Sequence, residues 1–86
     1  MCEFNLVFAR SARKELESLP AGVVRRIVPR IEFLVTNPRP DGCKKLTGTK
    51  NLWRIRVGDY RVIYSIEDEV LTIEVISVRH RGDAYR

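Results

Sequence analysis

Cysteine and histidine are scarce in this 86-residue chain, with Cys2, Cys43 and His80 its only members of those types. Two distant thiols without a Cys-x-x-Cys spacing are too few for a disulfide framework. With a single imidazole they also fall short of the four ligands of a structural zinc site. Both are read as free thiols. The chain has no Gly-x-Gly-x-x-Gly, no Walker loop and no paired-aspartate cluster, so nucleotide binding and two-metal hydrolysis lack their residues. No metal and no cofactor is expected. Apolar runs fall far short of the roughly 18–20 residues of a membrane helix, so no membrane association is expected. Met1-Cys2-Glu3-Phe4 lacks the basic start and apolar stretch of a secretory signal, and cytoplasmic residence is the expectation.

What is present suits a folded domain. Apolar residues make up 44% and charged residues 31% of the chain, too apolar for disorder. The length allows one domain, residues 1–86. A chain this short buries only about 60–65% of the surface its unfolded form exposes, so its stability should be modest without a partner. The 16 Lys and Arg against 11 Asp and Glu give a net charge of +5. Between residues 39 and 64, Arg39, Lys44, Lys45, Lys50, Arg54, Arg56 and Arg61 face only Asp41 and Asp59, again a net of +5. Arg79, Arg81 and Arg86 against Asp83 add +2 at the C-terminal end, leaving the remainder slightly negative. A basic patch on an otherwise balanced domain suits a polyanion, most simply nucleic acid or an acidic protein; solvated surface charge is the plainer alternative.

Residues 3–8 read as a strand. From Ala9 the period becomes helical, with Ala12, Leu16 and Leu19 on one side and Ser11 placed to cap. Leu19-Pro20-Ala21-Gly22 ends that helix. A second follows, with Val23, Val24, Ile27, Ile31, Leu34 and Val35 on one side, and Pro29 inside it should kink or split it. The turn-rich stretch 37–42 closes the helical hairpin. Residues 43–47 fit a short strand; Leu52–Val57 and Tyr60–Ile66 flank Gly58-Asp59, a two-residue hairpin signal; and Val70–Val78 forms the last run. The expected fold is α+β: an N-terminal strand, a two-helix hairpin, then an antiparallel sheet of three to four strands with the helices on one face.

The Gly58-Asp59 turn sets the pairing. Val57 should oppose Tyr60, Arg56 Arg61, Ile55 Val62, and Trp53 Tyr64. Trp53, Ile55, Val57, Tyr60, Val62 and Tyr64 then face the helices, and Arg54, Arg56 and Arg61 share the other side. A tight turn at Asp68-Glu69 would oppose Val62 to Val75 and Tyr64 to Ile73, putting Glu74, Ile76, Val78 and His80 on the arginine face and Arg81 on the opposite one. Like charges at opposed sheet positions destabilise by an amount comparable to the roughly 0.2–1 kcal/mol of favourable pairs. Arg56 opposite Arg61 therefore points to an anion, because the guanidinium fork matches phosphate. The alternative is that both side chains splay into water or that Glu74 neutralises them. Metal-free RNA cleavage would need a proton acceptor, a proton donor and cations on the phosphorane. His80 is the one group with an ordinary pKa near neutrality. Tyr85 can donate a hydrogen bond or stack on a base.

The stretch Leu52–Tyr64, with Trp53-Arg54-Ile55-Arg56 and Gly58-Asp59-Tyr60-Arg61, resembles the RelE side of the RelE/ParE toxin superfamily. So does Val75–Arg86, with His80-Arg81 and Tyr85. Ala9-Arg10-Ser11-Ala12, Asn37-Pro38 and Lys45-Leu46-Thr47-Gly48 extend the likeness over essentially the whole chain. The resemblance implies a RelE-like fold and the toxin of a type II toxin–antitoxin module. Such a toxin binds a cognate antitoxin and cleaves mRNA in the ribosomal A site, against ribosomal RNA, by metal-independent attack of the 2′-oxygen. Carried over, the catalytic residues are Arg56, Arg61, Arg81 and Tyr85, with His80 beside them. Arg54, Lys44, Lys45, Lys50 and Arg79 are the expected RNA-binding cations. Well-studied members carry lysines where Arg54 and Arg56 stand; arginine keeps the phosphate contact but is a poor proton acceptor. Arg56 is expected beside the attacking hydroxyl, Arg61 on the phosphorane, Arg81 or His80 at the leaving group, and Tyr85 on the base or phosphate. The rival expectations are a ParE-like toxin that inhibits DNA gyrase by protein binding and a non-catalytic antitoxin-binding module.

Overall fold

The computed structural model describes residues 3–80. Its elements are β1 (Asn5–Phe8), α1 (Arg10–Glu17), α2 (Ala21–Phe33), β2 (Lys44–Lys45), β3 (Leu52–Val57), β4 (Tyr60–Glu67) and β5 (Thr72–His80). The α+β expectation holds. The sheet has five strands in the order β1-β5-β4-β3-β2, one more than the upper expectation. The difference lies in β1, which joins the edge parallel to β5, with Leu6 opposite Ile73 and Phe8 opposite Val75.

Alternation along the strands builds the core. Ile55, Val57, Val62, Tyr64, Ile66, Ile73, Val75 and Val78 are buried together with Ala12 of α1, Ile27 and Ile31 of α2, and Leu34 just after it. Burying such a side chain stabilises by about 1.5–3 kcal/mol, and these contacts hold the helices to the sheet. Pro29 does not split α2, which runs unbroken through it. The residue is exposed, so the Arg25 carbonyl that loses its helical donor lies on the water side. Ser11 does not cap α1. Ala9 holds the cap position while its N–H still donates to the Val75 carbonyl, so strand pairing carries on to the first residue of the helix.

The connection from α2 to β2 is pinned to the sheet. The Tyr64 hydroxyl donates to the Pro38 carbonyl at 2.7 Å, and the Arg39 guanidinium lies 5.1 Å from the Trp53 ring centre while pairing with Asp68 at 3.0 Å. Burial pushes the Tyr64 phenol above the ordinary tyrosine range; the neighbouring Cys43 adds to the shift and Arg39 opposes it. Cys43 is a free thiol, and Cys2 lies outside the described residues.

The β3–β4 register is as expected, including Arg56 opposite Arg61. The β4–β5 register is not. Asp68–Leu71 forms a four-residue connection rather than a tight turn, and Leu71 adopts a left-handed backbone with φ of 47°. Tyr64 consequently opposes Val75 rather than Ile73. The ladder then slips between Ile63, opposite Ser77, and Tyr64, opposite Val75, so Ile76 is the extra residue of a bulge. Because strand faces alternate, one added residue exchanges them. Val62 opposes Val78, not Val75, and Val78 is buried in the core rather than on the arginine face. Arg79, not Ile76, stands opposite Arg61, and His80 joins the row of Tyr60.

Beyond the bulge, β5 has α1 rather than β1 along its outer edge. Ser11 Oγ donates to the Ile76 carbonyl at 3.3 Å, and Glu15 Oε1 accepts the Val78 N–H at 3.0 Å. The same carboxylate accepts from Arg79 Nε through Oε2 at 2.7 Å. Glu15 thus does for Val78 what a neighbouring strand's carbonyl would do. Replacing Glu15 with alanine should lower the urea-derived unfolding free energy by about 1–3 kcal/mol, because a partly buried N–H loses its acceptor. Glu17→Ala, which breaks only the exposed 3.8 Å pair with Arg13, should cost no more than about 0.5 kcal/mol. Equal losses in the two variants would refute the role given to Glu15.

Candidate nucleic-acid interface

Two cross-strand rows carry the basic side chains. In one, Arg56 of β3, Arg61 of β4 and Arg79 of β5 are successive partners. In the next, Lys44 of β2 opposes Arg54 of β3, which opposes Ile63 and then Ser77. Opposed residues share a face, so Lys44, Arg54, Arg56, Arg61 and Arg79 belong to the side of the sheet away from the buried core. Opposed Cα atoms in such a ladder lie about 4.5–5.5 Å apart, which crowds three guanidinium groups across three strands.

Their environments differ. Arg56 is exposed, whereas Arg61, in the middle of its row, is only 6% exposed. Arg54 is half-buried, and its Nε is a buried donor without a hydrogen-bond partner among the described residues. Arg79 is turned toward α1 by its bond to Glu15, which offsets part of its charge and fixes its guanidinium at the sheet edge. Glu74 does not neutralise the row. It opposes Ser65, four residues along β4 from Arg61 and so about 13 Å away along the strand. Glu67 opposes Thr72 further still. The face is basic near the Gly58-Asp59 hairpin end and acidic at the other.

The other expected residues separate. Lys45 opposes Trp53, whose ring packs against the core, so alternation puts it on the opposite side from Lys44. Lys50 lies in the β2–β3 connection and lines a depression with Glu67, Asp68 and Glu69, at the acidic end. His80 sits on the helix side of the sheet, its ring and that of Tyr60 in a T-shaped pair with centroids 5.3 Å apart and planes at 86°. Arg81 and Tyr85 lie outside the described residues. Among the described residues no cluster of His, Cys, Asp and Glu could hold a metal ion.

Two features were missed in the sequence. Glu15 reads there as one more solvent-facing helix charge, and only the bulge at Ile76 brings it to Arg79. Arg26 packs against the hairpin tip, where a side chain on Gly58 would come within 2.8 Å of its terminal nitrogen. Gly58 has a φ of +61°, as its turn demands, and residues 23–27 supply no sequence signal for that approach.

Residues 6–85 match a family model described as ParE toxin of the parDE type II toxin–antitoxin system. Toxin RelG of Mycobacterium tuberculosis is 33% identical, over 96% of this chain and 97% of its own length. Among solved structures, the archaeal RelE–RelB complex from Pyrococcus horikoshii OT3 is similar with a TM-score of 0.82 and 33% identity, covering 93% of this chain and 97% of that one. The toxin–antitoxin complex RelBE2 from Mycobacterium tuberculosis gives 0.83 and 29%, covering 96% and 97%.

The geometry predicts which cations meet a polyanion. For a single-stranded RNA, affinity falls with salt at a slope of about −0.7 per phosphate neutralised. Arg56→Ala should therefore flatten the slope measured by fluorescence anisotropy between 50 and 200 mM salt by about 0.7. Lys45→Ala and Lys50→Ala should leave it unchanged. Equal flattening in all three would contradict a face confined to the two rows.

Proposed function

This chain belongs to the RelE/ParE family of type II toxin–antitoxin toxins, on its RelE side, and from that premise we propose that it is a ribosome-dependent endoribonuclease held inactive by a cognate antitoxin. The observation that carries the proposal is the Arg56–Arg61–Arg79 row. A sheet selected for stability alone would gain by replacing one of three opposed cations. A phosphodiester backbone converts that cost into binding, most directly at the exposed Arg56, whose guanidinium offers a two-pronged donor to phosphate oxygens.

The reaction this surface suits is attack of a 2′-oxygen on the adjacent phosphorus. The 2′-hydroxyl gives up its proton as the new P–O bond forms, the bond to the 5′-oxygen breaks, and that oxygen takes a proton. The products are a 2′,3′-cyclic phosphate and a 5′-hydroxyl. Arg61, the least exposed of the row, is assigned the charge that builds on the phosphorane, because electrostatic stabilisation gains most where water is excluded. Arg56 is assigned the phosphate beside the attacking hydroxyl, and Arg54 and Lys44 the flanking backbone. Arg81 and Tyr85 keep the leaving-group and orienting roles implied by the resemblance. His80, on the other side of the sheet, is not assigned a proton transfer.

Arginine is a weak proton acceptor, so this surface has little acid–base power of its own. Substrate positioning can supply roughly 7–11 kcal/mol of a barrier, and an mRNA held in a ribosomal site arrives already positioned. Activity on free RNA should be weak. The antitoxin assignment follows the RelB partner in the Pyrococcus complex.

Primer extension on ribosome-bound mRNA tests the reading. The wild-type chain should cut at discrete positions within codons, and Arg56→Ala and Arg61→Ala should each cut at least 100-fold more slowly. Arg56 is exposed, so loss of fold does not account for its effect. Undiminished cleavage by both variants would reject the site. Inhibition of purified gyrase in a supercoiling assay, without RNA cleavage, would establish the ParE-like alternative.

A further inference from the structure

The water side of α2 carries charge that the proposed chemistry leaves unused. Arg25, Arg26 and Arg30 are exposed along this helix, with Glu32 its only acid. None of the three arginines is in an ion pair among the described residues. Arg26, Arg30 and Phe33 follow one another at spacings of four and three, so they form one stripe about 10 Å long on the flank of α2. Glu32 lies two residues from Arg30, about 200° around the helix. Each arginine of the stripe stands one residue before a buried isoleucine, Ile27 or Ile31, which sets the stripe beside the core face. Phe33 is 53% exposed although large and apolar, and Pro29, four residues before it, is exposed as well. Because α2 packs on the core side of the sheet, the stripe and the arginine row belong to different faces of the domain.

We propose that this stripe binds an unpaired loop of a folded RNA, with one base stacked on Phe33 and the neighbouring phosphates on Arg26 and Arg30. The inference rests on the ribosome-dependent reading above and adds a second RNA contact, separate from the strand that is cut. The composition of the flank selects this occupant. A protein partner favours an apolar centre depleted of charge, and a single aromatic ring beside cations offers little of that. Fully paired RNA keeps its bases stacked inside the helix and gives Phe33 nothing to stack on. An unpaired nucleotide presents a planar ring between two phosphates, which suits an aromatic face and two guanidinium groups. Arg26 also packs against Gly58 at the hairpin tip, so the stripe begins near the end of the sheet that carries the arginine row. A domain that grips a carrier RNA on one face and the strand to be cut on another acts best where the two are held together, and a ribosome supplies that condition.

Two measurements test this on the full chain, with Phe33→Ala, Arg30→Ala and Arg56→Ala beside wild type. Phe33 and Arg30 are exposed, and unchanged thermal unfolding checks that each variant is folded. In fluorescence anisotropy, Phe33→Ala should bind a labelled stem-loop RNA about fivefold or more weakly and a fully paired duplex of the same length as wild type does. Arg30→Ala should weaken binding to both RNAs. In primer extension with increasing ribosome concentration, both α2 variants should need about fivefold or more ribosome for half-maximal cleavage while keeping the maximal rate. Arg56→Ala should lower the maximal rate instead. If Phe33→Ala and Arg30→Ala match wild type in both measurements while Arg56→Ala cleaves slowly, the stripe is not an RNA site and the RNA-cleaving reading stands. A lowered maximal rate in the α2 variants would place the stripe on the cut strand and overturn the separate contact. If wild type cleaves nothing, the RNA-cleaving reading falls and the stem-loop titration alone decides the stripe.

Discussion

The β4–β5 ladder slips by one residue at Ile76, and that slip decides what each face of the sheet carries. Without it, continuous alternation from Tyr64 opposite Val75 would set Val78 across from Arg61 and Arg79 across from Tyr60, pushing a cation toward the core and a valine away from it. With it, Val78 closes the core, Arg79 completes a row of three arginines, and His80 joins Tyr60. Glu15 of α1 supports the same segment, taking the Val78 N–H and the Arg79 guanidinium with its two oxygens. The bulge and the helix act together. The outer edge of β5 is satisfied by a side chain, and the last residues of the strand are presented at the end of the sheet.

The arginine row is an unfavourable arrangement inside a small domain. Opposed like charges act against folding, and a chain of this size has only a limited core to offset them. Salt screens them in part, and a bound polyanion turns the same repulsion into attraction. An antitoxin that covered this face would do likewise, and anything that binds only the folded chain stabilises it.

Much of this could be read in the residues. Gly58-Asp59 set the hairpin register without error, because a two-residue turn leaves one pairing and alternation then sorts Ile55 and Val57 from Arg54 and Arg56. The helices followed from apolar spacing, and of the two outcomes expected at Pro29 the split does not occur, the proline lying on the exposed side of a continuous α2. The second register could not be read. Asp68-Glu69 looks like a tight turn, and nothing local marks Leu71 for a left-handed backbone or Ile76 for a bulge, which falls where the edge neighbour of β5 changes from β1 to α1. Faces past the bulge were therefore exchanged, and with them the places of Val78, Arg79 and His80. Lys45 and Lys50 were grouped with Lys44 by charge alone, which carries no information about which side of a strand a residue occupies.

The central claim is that the opposed arginines are kept for phosphate at a cost to the fold. Arg56→Thr puts a strand-favouring neutral residue opposite Arg61 at an exposed position. Its urea unfolding free energy and its cleavage of ribosome-bound mRNA, measured on one preparation, bear on that claim most directly. The account predicts a variant about 0.2–1 kcal/mol more stable than wild type and at least 100-fold slower. A variant that is less stable, or one that cleaves at the wild-type rate, would contradict it.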